Sequence, residues 1–277
     1  MTHTDEYFDM ETAPISIEAV RLNVRDVETV SGFYQNALGL KPITKDDQNV
    51  TLGANGKPLV YLDGDPSLKP RDPRQAGLFH TAFLMPSRAH LASWLEHVAE
   101  ISIPLQGASD HIVSEAIYLA DPEGNGIEVY ADRAIDDWRD TSGNIRMATD
   151  PLDLQSLLDA ADDTPWPGFP EQGIIGHVHL QVGHISGADK FYSDILGLDI
   201  TSRYPGAHFF GSGGYHHQLA ANVWNSRYAC VRDPLMAGLS EVMLKVTDPE
   251  RDAIRDRADG DDLADPWGTQ FSLTLQD

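Results

Sequence analysis

The chain has 277 residues, 41% of them apolar, which is enough to fill the cores of two ordinary domains or one large one. Its 43 acidic and 20 basic side chains give a net charge of −23, which argues against nucleic acid or an anionic membrane as a partner. The acidic residues are spread along the chain in short runs, among them 46–47, 162–163 and 259–262. Such a surface is typical of salt-adapted proteins, although an ordinary acidic protein would also show it.

The sequence carries no signal that would direct it out of the cytoplasm. Cys230 is the single cysteine, so no internal disulfide can form. Residues 1–10 are polar and acidic, unlike a secretory signal, and no run approaches the roughly 18 apolar residues that a membrane helix needs. We therefore expect a cytoplasmic protein.

The first predicted unit consists of a strand, a helix and two further strands. Alternating apolar residues at 20–24 predict the strand, and the apolar spacing in 27–38 predicts the helix. Gly39 supplies the helix stop. Short apolar runs at 50–52 and 59–62, separated by turn residues, predict the last two strands of the unit.

The second predicted unit has a similar order of elements. An apolar strand at 78–85 precedes a helix over 87–99, for which Ser87 is the expected N-cap. Two strands follow, at 113–119 and 126–130, and an Asp-Pro-Glu-Gly turn comes directly before the second of them.

An internal repeat relates the two halves of the chain. Residues 22–24 and 33–40 read LNV and FYQNALGL, and at one constant interval residues 180–182 and 191–198 read LQV and FYSDILGL. The last quarter of the chain repeats the second unit in a shorter form. Four βαβββ-like modules are therefore predicted, in residues 15–65, 75–133, 174–226 and 236–275.

The segment between the second and third modules differs in composition from its neighbours. Residues 134–173 contain an acidic run and Pro165, Pro167 and Pro170. These features are typical of a linker. The predicted organisation is an N-terminal pair of modules in 1–133, the linker, and a C-terminal pair in 174–277.

The repeated FY…LGL pattern, together with DPEGNGIE at 121–128, resembles the glyoxalase, bleomycin-resistance and extradiol-dioxygenase superfamily, also called vicinal oxygen chelate proteins. The resemblance covers almost the whole chain and is strongest to the catechol 2,3-dioxygenase-like branch. It implies an α+β fold, in which four βαβββ modules in two tandem halves form open half-barrel sheets around a metal site.

The resemblance also implies a ligand set. In that superfamily the first strand of each module can carry one metal ligand, and these positions hold, in module order, Ala19, His80, His177 and Glu241. The last strand of the second module carries the carboxylate Glu128. His80, Glu128 and His177 are thus expected to form a two-histidine, one-carboxylate site for Fe(II), or for Mn(II) in its place. Because they come from modules two and three, the site should bridge the two halves.

Residues 211–218, GSGGYHHQ, resemble the His-His pair of extradiol enzymes. By position in that pair, His217 is the expected acid–base histidine and His216 is the alternative. Residues 108–118 resemble the Asp-His…Tyr segment of the same family. There Tyr118 is expected to hydrogen-bond substrate or bound oxygen, and Asp110 and His111 to orient neighbours or line the pocket.

The implied activity is extradiol ring cleavage of a small catechol-type diol by O2. Two alternatives stay open: a glyoxalase-like isomerase or lyase with Zn(II) or Ni(II), and a metal-free binding protein like the bleomycin-resistance members. The sequence also leaves open whether the chain forms a homo-oligomer.

Overall fold

The structure is a computed structural model that describes residues 6–162, 164–258 and 262–276. Asp163 and residues 259–261 of the acidic runs lie outside the described residues. The described chain forms an α+β fold of two curled, open sheets with helices on their outer faces, which confirms the expected fold class.

The first sheet has seven strands in the order β14-β15-β13-β1-β4-β3-β2. Their bounds are β1 Ile15–Val24, β2 Lys41–Lys45, β3 Asn49–Ala54, β4 Lys57–Gly64, β13 Gly238–Val246, β14 Leu263–Ala264 and β15 Gln270–Leu275.

The second sheet has eight strands in the order β10-β11-β12-β9-β5-β8-β7-β6. Their bounds are β5 Gly77–Leu84, β6 Gly107–Asp110, β7 Ser114–Ala120, β8 Gly126–Asp132, β9 Ile174–Gln181, β10 Asp199–Tyr204, β11 Ala207–Gly211 and β12 Leu219–Asn222.

The α-helices are α1 Val27–Leu38, α2 Arg88–Glu100, α3 Leu154–Leu158, α4 Ile185–Ala188, which continues as a π-helical segment over Asp189–Ile195, and α5 Asp248–Ala258. Short 3-10 helices lie at Met10–Thr12 and Ile135–Asp137. None of the helices in the described part of the chain is both long and apolar enough to cross a membrane.

The two longest helices, α1 and α2, lie within one residue of their predicted bounds and begin at capping side chains. Asp26 accepts a hydrogen bond from the Thr29 amide at the start of α1, and Ser87 accepts one from the His90 amide at the start of α2. Gly39 ends α1 with a left-handed φ of 71°. The predicted start of α2 at Ser87 differs from the observed start by one residue, because the cap itself is not helical.

Each sheet combines strands from both halves of the chain. In the second sheet β5 of module two runs antiparallel to β9 of module three, and in the first sheet β1 of module one runs antiparallel to β13 of module four. This pairing agrees with the expected contribution of modules two and three to one site. The boundaries 1–133, 134–173 and 174–277 remain a proposal about sequence organisation.

The predicted linker carries packed structure of its own. Trp138 and Leu157 are fully buried, and α3 packs on α2. The indole of Trp138 donates a hydrogen bond to the Arg133 carbonyl at 3.0 Å. The described part of this segment therefore lies against the second sheet, where it can form part of a binding site.

Candidate active site

Three neighbouring strands, β9, β5 and β8, bring the predicted ligands together. His80 and Ala82 lie two residues apart on β5 and thus on one face of the sheet. Ala82 pairs in register with His177 on one side and with Glu128 on the other. Because the alanine side chain is small, the three larger side chains can converge above it.

The three side chains form a compact, buried cluster. One ligand atom from each of His80, Glu128 and His177 lies within 4.8 Å of the others. Glu128 Oε2 is 3.0 Å from His80 Nε2 and 3.5 Å from His177 Nε2, and all three residues are buried. His80 Nε2 has no hydrogen-bond partner of acceptable geometry. A buried nitrogen without a partner, next to a second imidazole and a carboxylate, fits a divalent metal ion.

The surroundings of the cluster favour the protonation states in which Glu128 and His177 can bind a metal. Burial raises the pKa of the Glu128 carboxyl, but the adjacent His177 and His80 outweigh burial and hold that pKa well below its usual range. Burial lowers the pKa of His177 to about 4, although Glu128 opposes the shift. At neutral pH the cluster therefore offers a carboxylate and a neutral His177 imidazole, as metal binding requires.

The cluster opens into a cavity of about 240 Å³. Its walls are largely aromatic, and among the described residues no lysine or arginine lines it. The lining residues are Phe79, His80, Ser109, His111, Ser114, Tyr118, Glu128, Met147, Ala148, Thr149, His177, His179, Tyr204, Phe209, His217 and Trp224. Residues 147–149 belong to the predicted linker, so that segment forms part of the cavity wall.

Tyr118 and His111 face the cavity and are joined to each other. His111 Nδ1 lies 2.6 Å from the Ala148 carbonyl oxygen, which can only accept, so Nδ1 carries the proton. His111 Nε2 then accepts from the Tyr118 hydroxyl at 2.5 Å. Burial, followed by the charge of Glu128, raises the pKa of Tyr118 well above its usual value. The phenol therefore stays protonated.

Of the two adjacent histidines, only His217 lines the cavity. Its ring centroid is 4.2 Å from that of His177. Burial, with the electrostatic effect of the adjacent His177 as the next cause, lowers the pKa of His217 well below its usual value. His216 is fully buried behind it, where it contacts His217 and Asp132.

Asp110 also lies away from the cavity surface. Its carboxylate pairs with Arg133 at 2.5 Å and accepts a hydrogen bond from the Ile112 amide. It thereby fixes the turn that leads from His111 into β7. Of the predicted residues, His80, His111, Tyr118, Glu128, His177 and His217 share the cavity, whereas Asp110 and His216 lie behind its wall.

His179 is a cavity residue that sequence reasoning missed. It lies two residues after His177 on β9, so strand alternation places both on one face, and it pairs in register with His80. The Asn222 amide donates to His179 Nε2 at 3.0 Å. Burial lowers the pKa of His179 well below its usual value. The sequence signal for His179 was its position two residues after the proposed ligand His177 on the same strand.

The ligand position of module four has a structural role. Glu241 accepts a hydrogen bond from Arg21 at 3.0 Å, and Arg21 also pairs with Asp63. These three residues lie in the first sheet on β13, β1 and β4. Among the described residues no other group of histidine, cysteine, aspartate and glutamate side chains converges as the cluster in the second sheet does.

The chain is similar to known proteins in both sequence and structure. The chain is 41% identical over 224 residues to a catechol-2,3-dioxygenase of Bacillus subtilis, covering 79% of this chain and 78% of that protein. A biphenyl-2,3-diol 1,2-dioxygenase of Rhodococcus globerulus is 30% identical over 94 residues, 34% of this chain and 46% of that one. A solved glyoxalase I mutant from Zea mays covers 96% of both chains with a TM-score of 0.57 at 14% identity, which shows a shared fold.

The family model for the Glyoxalase/Bleomycin resistance protein/Dioxygenase superfamily matches residues 16–129 and 174–229, more than half of the chain. The two matched stretches contain His80, Glu128 and His177. The chain therefore belongs to the Glyoxalase/Bleomycin resistance protein/Dioxygenase superfamily.

Proposed function

We propose that this protein is an extradiol dioxygenase that cleaves the ring of a small catechol-type diol with O2 at a mononuclear metal centre, with Fe(II) as the metal. The observation that carries the proposal is the buried cluster of two histidines and one glutamate at the floor of an aromatic cavity. The similarity to a catechol-2,3-dioxygenase over most of both chains supports a dioxygenase activity over a glyoxalase-like activity.

His80, Glu128 and His177 would hold the metal, since each offers a ligand atom and the three are buried together. This donor set is typical of non-haem Fe(II) oxygenases, and Mn(II) is the expected substitute. When bound, Fe(II) supplies a Lewis-acidic and redox-active centre for the reaction of the diol with O2.

The side chains around the centre would handle protons and orient the substrate. Because its pKa is low, His217 is unprotonated at neutral pH and can take a proton from a diol hydroxyl. The Tyr118 hydroxyl donates a hydrogen bond to His111, so its oxygen lone pairs remain free to accept a hydrogen bond from the substrate. Together they would fix which edge of the ring faces the metal ligands.

The cavity walls favour a diol without a charged substituent. Phe79, Phe209 and Trp224 provide aromatic surface, and Met147 adds a flexible apolar side chain. No described arginine or lysine lines the cavity to pair with a substrate carboxylate, and Glu128 would repel one. We therefore expect catechol and alkylcatechols to react, and carboxylated catechols to react poorly.

An oxygen electrode with metal-loaded protein tests this proposal. Protein loaded anaerobically with Fe(II) should consume one O2 per catechol and form a yellow ring-opened product, and loading with Zn(II) should give neither. Conversion of a glutathione hemithioacetal by the Zn(II) or Ni(II) form, without O2 uptake from catechol by the Fe(II) form, would establish the glyoxalase-like alternative instead.

A further inference from the structure

Hydrogen bonds connect His217 through His216 to Asp132 at the end of β8. His217 Nδ1 lies 2.8 Å from His216 Nδ1, and His216 Nε2 lies 2.9 Å from Asp132 Oδ1 at the end of β8. Asp132 lies on β8, four residues after the proposed ligand Glu128, but does not line the cavity. The acid–base histidine is thus connected to a carboxylate that cannot reach the substrate.

The chemistry of the groups fixes the direction of each hydrogen bond. The Asp132 carboxylate can only accept, so His216 Nε2 carries the proton. When the His216 ring carries only that proton, its Nδ1 accepts a hydrogen bond from His217 Nδ1–H. The remaining ring nitrogen of His217, Nε2, is left unprotonated. That nitrogen is the one available to a diol in the cavity.

Aromatic packing and further hydrogen bonds hold His216 and Asp132 in place. The ring of His216 lies 3.9 Å from that of Tyr215 and 5.0 Å from that of Trp138. Tyr215 donates to the second oxygen of Asp132 at 3.0 Å, and Tyr130 is 2.7 Å from Tyr215. Both carboxylate oxygens of Asp132 are therefore occupied by donors, which leaves its orientation little freedom.

We infer that Asp132 is a positioning residue which, through His216, selects the tautomer of His217 that presents an unprotonated Nε2 to the substrate. In a catalytic triad a carboxylate orients the catalytic imidazole directly. Here the carboxylate would act on His217 through one further histidine, His216. The inference rests on the proposed function for the meaning of the His217 tautomer, but the tautomer itself can be measured without turnover.

The first test uses the histidine ¹⁵N NMR spectrum of the full-length protein loaded with diamagnetic Zn(II). Wild-type protein should show His217 protonated at Nδ1 and His216 at Nε2, and Asp132→Ala should convert both signals to a mixture of tautomers. A wild-type His217 protonated at Nε2 would overturn the inference, as would an unchanged Nδ1–H tautomer in the variant. Since the wild-type spectrum alone can overturn it, the test does not depend on folding of the variant.

The second test uses kinetics with the Fe(II) form and catechol. Asp132→Ala should lower kcat by roughly 10- to 100-fold with little change in KM, the usual scale for losing a group that orients an active-site side chain. Asp189→Asn is the matched control, because Asp189 also pairs with a histidine, His208, at 2.7 Å but away from the cavity. Equal effects of the two variants would overturn the inference. If wild-type protein cleaves no diol, the proposed function fails, while the NMR spectrum still decides the tautomer.

Discussion

At the scale of single residues, Glu128 supplies the negative charge of the proposed metal centre. Glu128→Gln keeps the shape of the side chain but removes the anionic oxygen that divalent metals prefer. We expect the purified variant to lose the metal and the activity while its circular dichroism spectrum stays that of the wild type. Metal analysis after dialysis measures this, with Glu96→Gln on the exposed face of α2 as the control. Full occupancy of the Glu128 variant would contradict the ligand assignment.

Sequence reasoning named some of the residues that line the cavity and missed others for physical reasons. His80, Glu128 and His177 occupy positions that a repeat and a family pattern mark, and the structure brings them together. Which of the adjacent residues His216 and His217 faces the cavity depends on a loop between β11 and β12 that has no periodicity to read.

At the scale of elements, the closeness of β5 and β8 decides whether the ligands meet. Gly126 begins β8 directly against β5, and a Cβ placed there would lie 2.0 Å from the Phe79 carbonyl oxygen. Gly126→Ala must therefore push the two strands apart next to His80. We expect a loss of about 1–3 kcal/mol in the free energy of unfolding, together with weaker metal binding.

Chemical denaturation of the metal-free variant measures the first effect. Gly32→Ala is the matched control, because Gly32 lies within α1 and a Cβ there meets nothing within 4 Å. In that helix the exchange should stabilise the protein by roughly 0.5–1 kcal/mol. Equal stability of the two alanine variants would show that the approach of β5 and β8 is not tight.

The helices and strands differ in how well their bounds could be predicted from the sequence. The bounds of both long helices were predictable within a residue, because apolar spacing marks the helices and Gly39 and Ser87 mark the end of α1 and the start of α2. β2 was missed, since all five of its residues are exposed and the strand lacks an alternating pattern. The contribution of residues 147–149 to the cavity was not predictable either, because it depends on contacts with strands distant in the sequence.

At the scale of the whole molecule, the buried histidines connect stability to pH. Burial lowers the pKa of His177 to about 4 and those of His179 and His217 well below the usual value, whereas unfolded histidines titrate near pH ~6.5. As the pH falls from about 6.5 towards 4, the unfolded chain binds more protons than the folded one, so stability decreases.

We therefore expect the urea midpoint of metal-free protein to be lower at about pH 5.5 than at about pH 7.5. His179→Gln removes one of the three groups and should make the midpoint less dependent on pH over that interval. A midpoint that rises on acidification, or a variant with the same dependence as the wild type, would contradict the folded-state pKa directions.

The shared sheets also mean that a metal should stabilise both halves at once. His80 and Glu128 come from the first half and His177 from the second, on strands that pair directly. A ligand present at 100 times its Kd, and bound only by the folded state, adds about 2.7 kcal/mol to the free energy of unfolding. We expect Mn(II), which is stable to air, to raise the Tm of wild-type protein and to leave that of His177→Ala unchanged.

Differential scanning calorimetry with and without metal measures the difference, so any direct effect of the substitution on stability cancels. His97→Ala, a histidine of α2 outside the cavity, should keep the full metal-dependent rise. If His177→Ala is stabilised by Mn(II) as strongly as the wild type, the third ligand lies elsewhere, and His179 becomes the first candidate because it faces His80 across the same pair of strands.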